Sequence, residues 1–119
     1  MKHPSFSLVS LPALPLVQLL KEHVDPSLFV VEPAADVPGL DVWDTHLGEW
    51  VGVEAACAPS EASASASTSW VVFGGRCLEN ATGGRVRACL HRVTRSATDK
   101  RRRFCFIFEQ KLGDYYDNY

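Results

Sequence analysis

Apolar residues along this chain fall in short runs separated by turn residues, not at the 3.6-residue spacing of an amphipathic helix. Leu28 to Val31 is the first run. "VPGLDVWD" carries a second and "GEWVGV" a third, joined by the turn-like Asp44-Thr45-His46-Leu47-Gly48. "SWVVFG", "RVRACLHRV" and "RRFCFIFE" follow as the fourth, fifth and sixth. Short strands punctuated by glycine-containing turns predict a mainly all-β fold. An antiparallel sandwich or barrel fits, with the jelly roll, or double-stranded β-helix, among the options. Between the third and fourth strands, residues 56–68 form a low-complexity Ala/Ser stretch that cannot feed a core, and the expectation there is a loop insertion. Ahead of the first strand, "FSLVSLPALPLVQLLKE" contains Pro12 and Pro15, and a short helical or irregular N-terminal segment is expected up to residue 22.

Composition narrows the function classes. At 119 residues and 46% hydrophobic content the chain makes one domain with a core, and a formal charge of −2 argues against nucleic acid as the default partner. Cys57, Cys77, Cys89 and Cys105 have no CxxC spacing, so reduced thiols and a cytoplasmic location are expected in place of a zinc ribbon or a disulfide scaffold. The opening "MKHPSFSLVSLPALPLVQLL" starts basic and turns apolar like a signal peptide. It is interrupted by prolines, has no small-residue cleavage pattern, and is too short for a membrane span. The Asn80 sequon is therefore not expected to be glycosylated.

Candidate chemistry rests on His23, Asp25, His91 and Arg103. A histidine and a carboxylate at i and i+2 project from the same side of an extended chain, and a second histidine from a distant strand completes one triangular face of an octahedron. Two imidazoles and one carboxylate with three open positions is the ligand set of a non-haem Fe(II) oxygenase site. Each residue also has a plainer reading. H-x-D is a common polar loop, His91 in "ACLHRV" suits a hydrogen-bonded core position, and the basic run from Lys100 to Arg103 suits a solvated loop end. Trp43, Trp50 and Trp70 read as packing residues within strands, and His46 as an exposed turn residue.

From His23 to Phe108 the segments His23-Val24-Asp25, "PGLDVWD", "GEWVGV", "SWVVFGG", "TGGRVRACLHRV" and Arg103-Phe104-Cys105 occur in the order found in the C-terminal catalytic core of plant-type 2-oxoglutarate and Fe(II)-dependent dioxygenases. The chain resembles that isopenicillin N synthase-like superfamily. The resemblance implies a jelly-roll core over residues 23–119, incomplete here, with residues 1–22 standing in place of the family's N-terminal region. It implies Fe(II) held by His23, Asp25 and His91. It also implies 2-oxoglutarate bound at the metal by its keto-acid end, with its far carboxylate held by Arg103 and the residue at Cys105. The expected activity is hydroxylation or desaturation of a small organic molecule with dioxygen. The alternative is a catalytically silent remnant that binds metal or protein.

Departures from the family pattern qualify these roles. Cys105 stands where the family has the serine of R-x-S, replacing a good hydroxyl donor with a weak one. The family tyrosine that precedes H-x-D has no counterpart. Strand parity puts Arg103 and Cys105 on one face and Phe104, Phe106 and Phe108 on the other, with Arg101 the substitute ligand if the register slips by two. If the phenylalanines face outward, an apolar surface suited to self-association or a partner chain is expected, with no membrane and no nucleic acid involved.

Overall fold

The computed structural model describes residues 16–57 and 68–112. They build two antiparallel sheets and two short helices, so the mainly β class is observed. In chain order the elements are β1 (Leu16–His23), β2 (Phe29–Pro33), β3 (Leu40–Asp44), β4 (Glu49–Gly52), α1 (Val53–Ala56), β5 (Trp70–Gly74), α2 (Arg76–Ala81), β6 (His91–Ser96) and β7 (Phe108–Gln110). One sheet runs β1-β6-β3-β4 and the other β5-β2-β7. The buried apolar residues Val30, Val37, Leu40, Val53 and Cys77 lie on β2 and β3, in the link between them and on the two helices.

The β3–β4 hairpin follows its turn chemistry. Asp44 Oδ1 accepts the amides of His46 (2.8 Å) and Leu47 (3.0 Å), and Gly48 closes the turn at a φ of 68°. The Leu47 amide, and after it that of His46, pulls the Asp44 carboxyl below its ordinary value. Beyond the turn Trp43 faces Trp50 across the ladder, their rings edge-to-face at 5.4 Å, with the Arg92 guanidinium 4.1 Å from the Trp50 centroid. Trp70 departs from its expected packing role, being 65% exposed.

Four expectations are corrected by the structure. Residues 16–22 are not helical or irregular. They are β1, paired with β6 from Leu16↔Ser96 to His23↔His91. A helix starting after Pro15 would hold about two turns, too few to offset nucleation, whereas β6 offers ready ladder partners. The fifth strand begins at His91, not Arg85, because neighbours around α2 capture the preceding amides. Thr82 Oγ1 takes Val86 N, Glu79 Oε2 takes Ala88 N, and the Gly74 carbonyl takes Cys89 N. The sixth strand is short, Phe108–Gln110, although Phe104 and Phe106 do face outward while Arg103 and Cys105 are half-buried. Finally, α1 and α2 are helices of four and six residues, too short to leave a periodic signal. Most of the Ala/Ser loop lies outside the described residues. No helix among the described residues is long and apolar enough to cross a membrane, and all four cysteines are free.

Candidate metal centre

Antiparallel pairing brings the two histidines together. His23 ends β1 directly opposite His91 at the start of β6, and their ring centroids lie 4.3 Å apart. His91 is 5% exposed, with the Phe73 ring on its other side at 4.8 Å. Two residues past His23 the chain leaves the first sheet for the second, and Asp25 sits in that crossing. Its carboxylate lies 3.3 Å from His23 Nε2 through Oδ1 and 3.6 Å from His91 Nε2 through Oδ2. One candidate ligand atom from each of the three residues falls within 4.8 Å of the others.

The crossing is pinned by the start of α2. Arg76 N donates to the Asp25 carbonyl (2.7 Å), Cys77 N to that of Ser27 (3.2 Å), and Gly75 N to that of Leu28 (3.0 Å). These bonds satisfy amides left free at a helix start and hold the loop that carries Asp25. Gly75 is required by the close approach. A Cβ there would collide with the Ser27 carbonyl oxygen and lie 2.8 Å from that of Asp25.

Tautomers follow from the outer bonds. His23 Nδ1 contacts the Lys21 carbonyl at 2.7 Å and His91 Nδ1 the Cys89 carbonyl at 3.0 Å. A carbonyl only accepts, so each Nδ1 carries the proton, and in the neutral ring each Nε2 presents a lone pair. Both lone pairs point toward the Asp25 oxygens. Without a cation among them these acceptors repel, unless the rings take up further protons. A metal ion satisfies all three at once, and donation of Nδ1–H to a carbonyl is the usual support of a metal-ligating histidine. The 3.3 and 3.6 Å separations suit neighbouring ligands, about 3 Å apart when each lies about 2.1 Å from a metal.

A cavity of ≈ 180 Å³ opens beside the three residues, with Glu32, Phe73, Arg103 and Glu109 among its walls. Arg103 therefore borders the same space as the triad, but its Nη2 is 2.6 Å from Glu54 Oε1, the two side chains being 13% and 7% exposed. Glu54 also accepts the amides of Gly39 and Leu40, and Arg103 Nε is buried without a partner among the described residues. Arg101 is turned away onto Asp99. Cys105 donates to Glu32 Oε2 at 2.6 Å and so covers one wall residue without lining the cavity.

Glu32 and Glu54 escaped the sequence reading. Glu32 had a signal in strand parity, since it lies two residues from Val30 on the buried face of β2 and is itself 4% exposed. Glu54 had none, because α1 is too short to show a face. Burial, with the Glu32 hydrogen bond and charge, pushes the Cys105 thiol from an ordinary 9.0 up to about 11. The folded chain thus holds this proton more tightly than the unfolded one, so the associated stability is complete below pH 9 and lost as pH rises through 11. Chemical melts across that window should show a steeper loss for the native chain than for Cys105→Ala. Parallel losses would contradict it.

No family model and no curated protein matches the chain. Among solved structures it is similar to the crystal structure of a "putative oxygenase" from Shewanella oneidensis, at 25% identity and a TM-score of 0.55 over 87% of this chain. The match covers 33% of that protein, so this chain spans about a third of its length. The chain therefore has an oxygenase-like fold, and within it a His–Asp–His group able to hold a metal.

Proposed function

We propose that the chain forms the metal-bearing core of an Fe(II)- and 2-oxoglutarate-dependent oxygenase acting on a small organic molecule, on an incomplete jelly-roll scaffold. The convergence of His23 Nε2, His91 Nε2 and the Asp25 carboxylate, with both Nδ1 atoms already committed, carries this reading. Two neutral nitrogens and one carboxylate on a single face leave the opposite positions free, the donor set that suits non-haem Fe(II). Fe(II) held there supplies, with 2-oxoglutarate and dioxygen, the oxidising power for hydroxylation or desaturation. The similarity to the Shewanella protein supports oxidation chemistry in general.

The protein's own groups divide the remaining work. Lys21 and Cys89 carbonyls fix the imidazole tautomers. Phe73 packs on His91 and shields it from water. Arg103 is the cation on the cavity wall suited to the far carboxylate of 2-oxoglutarate, with Nε as the donor left over from the Glu54 pair. Cys105 acts one step removed, holding Glu32 in place.

Arg103→Lys tests the cosubstrate role, since lysine keeps the charge and loses the paired planar donors. About tenfold weaker 2-oxoglutarate binding, with Fe(II) affinity changed by no more than about twofold, is expected from loss of one charged hydrogen bond. Equal weakening of both would make Arg103 structural, and no change in either would show that Arg103 does not hold 2-oxoglutarate. One observation favours the second reading, a metal-binding module without 2-oxoglutarate. Glu54 already occupies Arg103 Nη2. On that reading Fe(II) binds and 2-oxoglutarate leaves its affinity unchanged.

A further inference from the structure

A second cavity shares Arg103 with the first but is lined by none of His23, Asp25 and His91. Its volume is ≈ 290 Å³, and Arg95, Arg101, Arg102 and Arg103 line it together with Leu19 and Phe104. Four guanidiniums around one concavity repel one another unless anions intervene. Two are offset within the chain. Asp99 takes Arg101 through both carboxylate oxygens, at 3.1 Å to Nε from Oδ1 and 2.8 Å to Nη2 from Oδ2, and Arg101 holds the Asp99 carboxyl down to about 2. Glu54 takes Arg103.

Arg102 has no such partner among the described residues, and Arg95 only shares the charge of Asp99, whose carboxylate is bonded to Arg101. Arg95 Nε is buried without a hydrogen bond among the described residues, and no carboxylate lines the cavity. A buried guanidinium N–H left unpaired is costly, and its natural complement is an oxyanion, which the planar fork accepts through two parallel bonds. Leu19, Val37, Pro38 and Phe104 make the rest of the wall largely apolar, and its one other polar residue, Thr94, donates its hydroxyl to Asp41. His91, Val93 and Arg95 alternate onto one face of β6, so Arg95 sits about 13 Å along the strand from His91, at four residues of about 3.3 Å rise. The site is therefore distinct from the metal centre, although Arg103 borders both.

We propose that this cavity is an anion-binding site for a small molecule that joins a phosphate or carboxylate to an apolar body, the acid group held by Arg95 and Arg102. The ligand needs no metal, so its binding is measured on metal-free protein, apart from any oxygenase activity. Phenyl phosphate, benzoate and phenol serve as probes in calorimetric titrations of the full chain. Saturable binding of phenyl phosphate or benzoate, with the tighter of the two naming the head group and phenol at least about tenfold weaker, is expected from a charge-assisted contact. Arg102→Gln lies on an exposed side chain that the fold does not need, and should weaken the acid probe about fivefold or more. Arg95→Gln should do the same. Lys100→Gln, outside the cavity, should leave it within about twofold, as a screened surface charge does. Absence of saturable binding by either acid, equal binding of phenol, or an unchanged affinity in Arg102→Gln would overturn the site.

Discussion

Asp25→Ala is expected to lower Fe(II) affinity by more than about 100-fold, exceeding the 10–100-fold typical of losing an outer-shell partner of a metal ligand. The substitution removes the one negative donor of the set and leaves two imidazole lone pairs facing nothing. It spares the local fold, because α2 grips the backbone carbonyl of Asp25 and not its side chain. Competition with a chromophoric chelator under anaerobic conditions reads the affinity, and circular dichroism checks the fold. Asp41→Ala supplies the contrast. Asp41 bonds Arg92 (3.1 Å) and Thr94 (3.0 Å) outside the metal cavity, so its loss should cost stability and leave Fe(II) affinity unchanged. Equal effects of the two variants on affinity would mean that bulk negative charge, not the triad, attracts the metal.

Gly75→Ala is expected to destabilise the chain by about 3 kcal/mol or more, at or above the upper end for overpacking. The added methyl would meet the carbonyl oxygens of Ser27 and Asp25, which are backbone atoms already fixed by the Cys77 and Arg76 amides and unable to rotate away. Relief requires moving the loop that carries Asp25, so weaker Fe(II) binding should accompany the lost stability. Gly52→Ala is the control. Its nearest neighbours would be 3.9 and 4.0 Å from the new Cβ, and a cost of about 1 kcal/mol or less is expected. Urea midpoints for the two variants measure the difference, and similar midpoints would show that the crossing loop gives way freely.

Local patterns made the strands around the hairpin legible, because β3, β4 and their turn carry both alternation and specific turn chemistry in Asp44 and Gly48. The H-x-D pair and His91 were legible as a candidate set from residue types and order. Their proximity was not, since it depends on β1 pairing with β6, and β1 reads as a segment outside the core. The apolar, proline-led sequence of residues 16–22 carries no strand signal of its own; its partner confers the strand. Arg103 shows the same limit at the side-chain level. Parity placed it on the inward face, but nothing near it in sequence announces Glu54, a carboxylate 49 residues away that takes one of its donors. Buried pairs of this kind are set by tertiary approach, and a short helix such as α1 leaves no pattern from which to foresee them.

The oxygenase reading requires that metal and cosubstrate meet at one centre. Anaerobic titration of the protein with Fe(II), with and without 2-oxoglutarate, tests this directly through visible absorption. A charge-transfer band should appear only when both are present and should vanish in Asp25→Ala. Fe(II) binding that gives no band with 2-oxoglutarate, or a band that survives in Asp25→Ala, would contradict it.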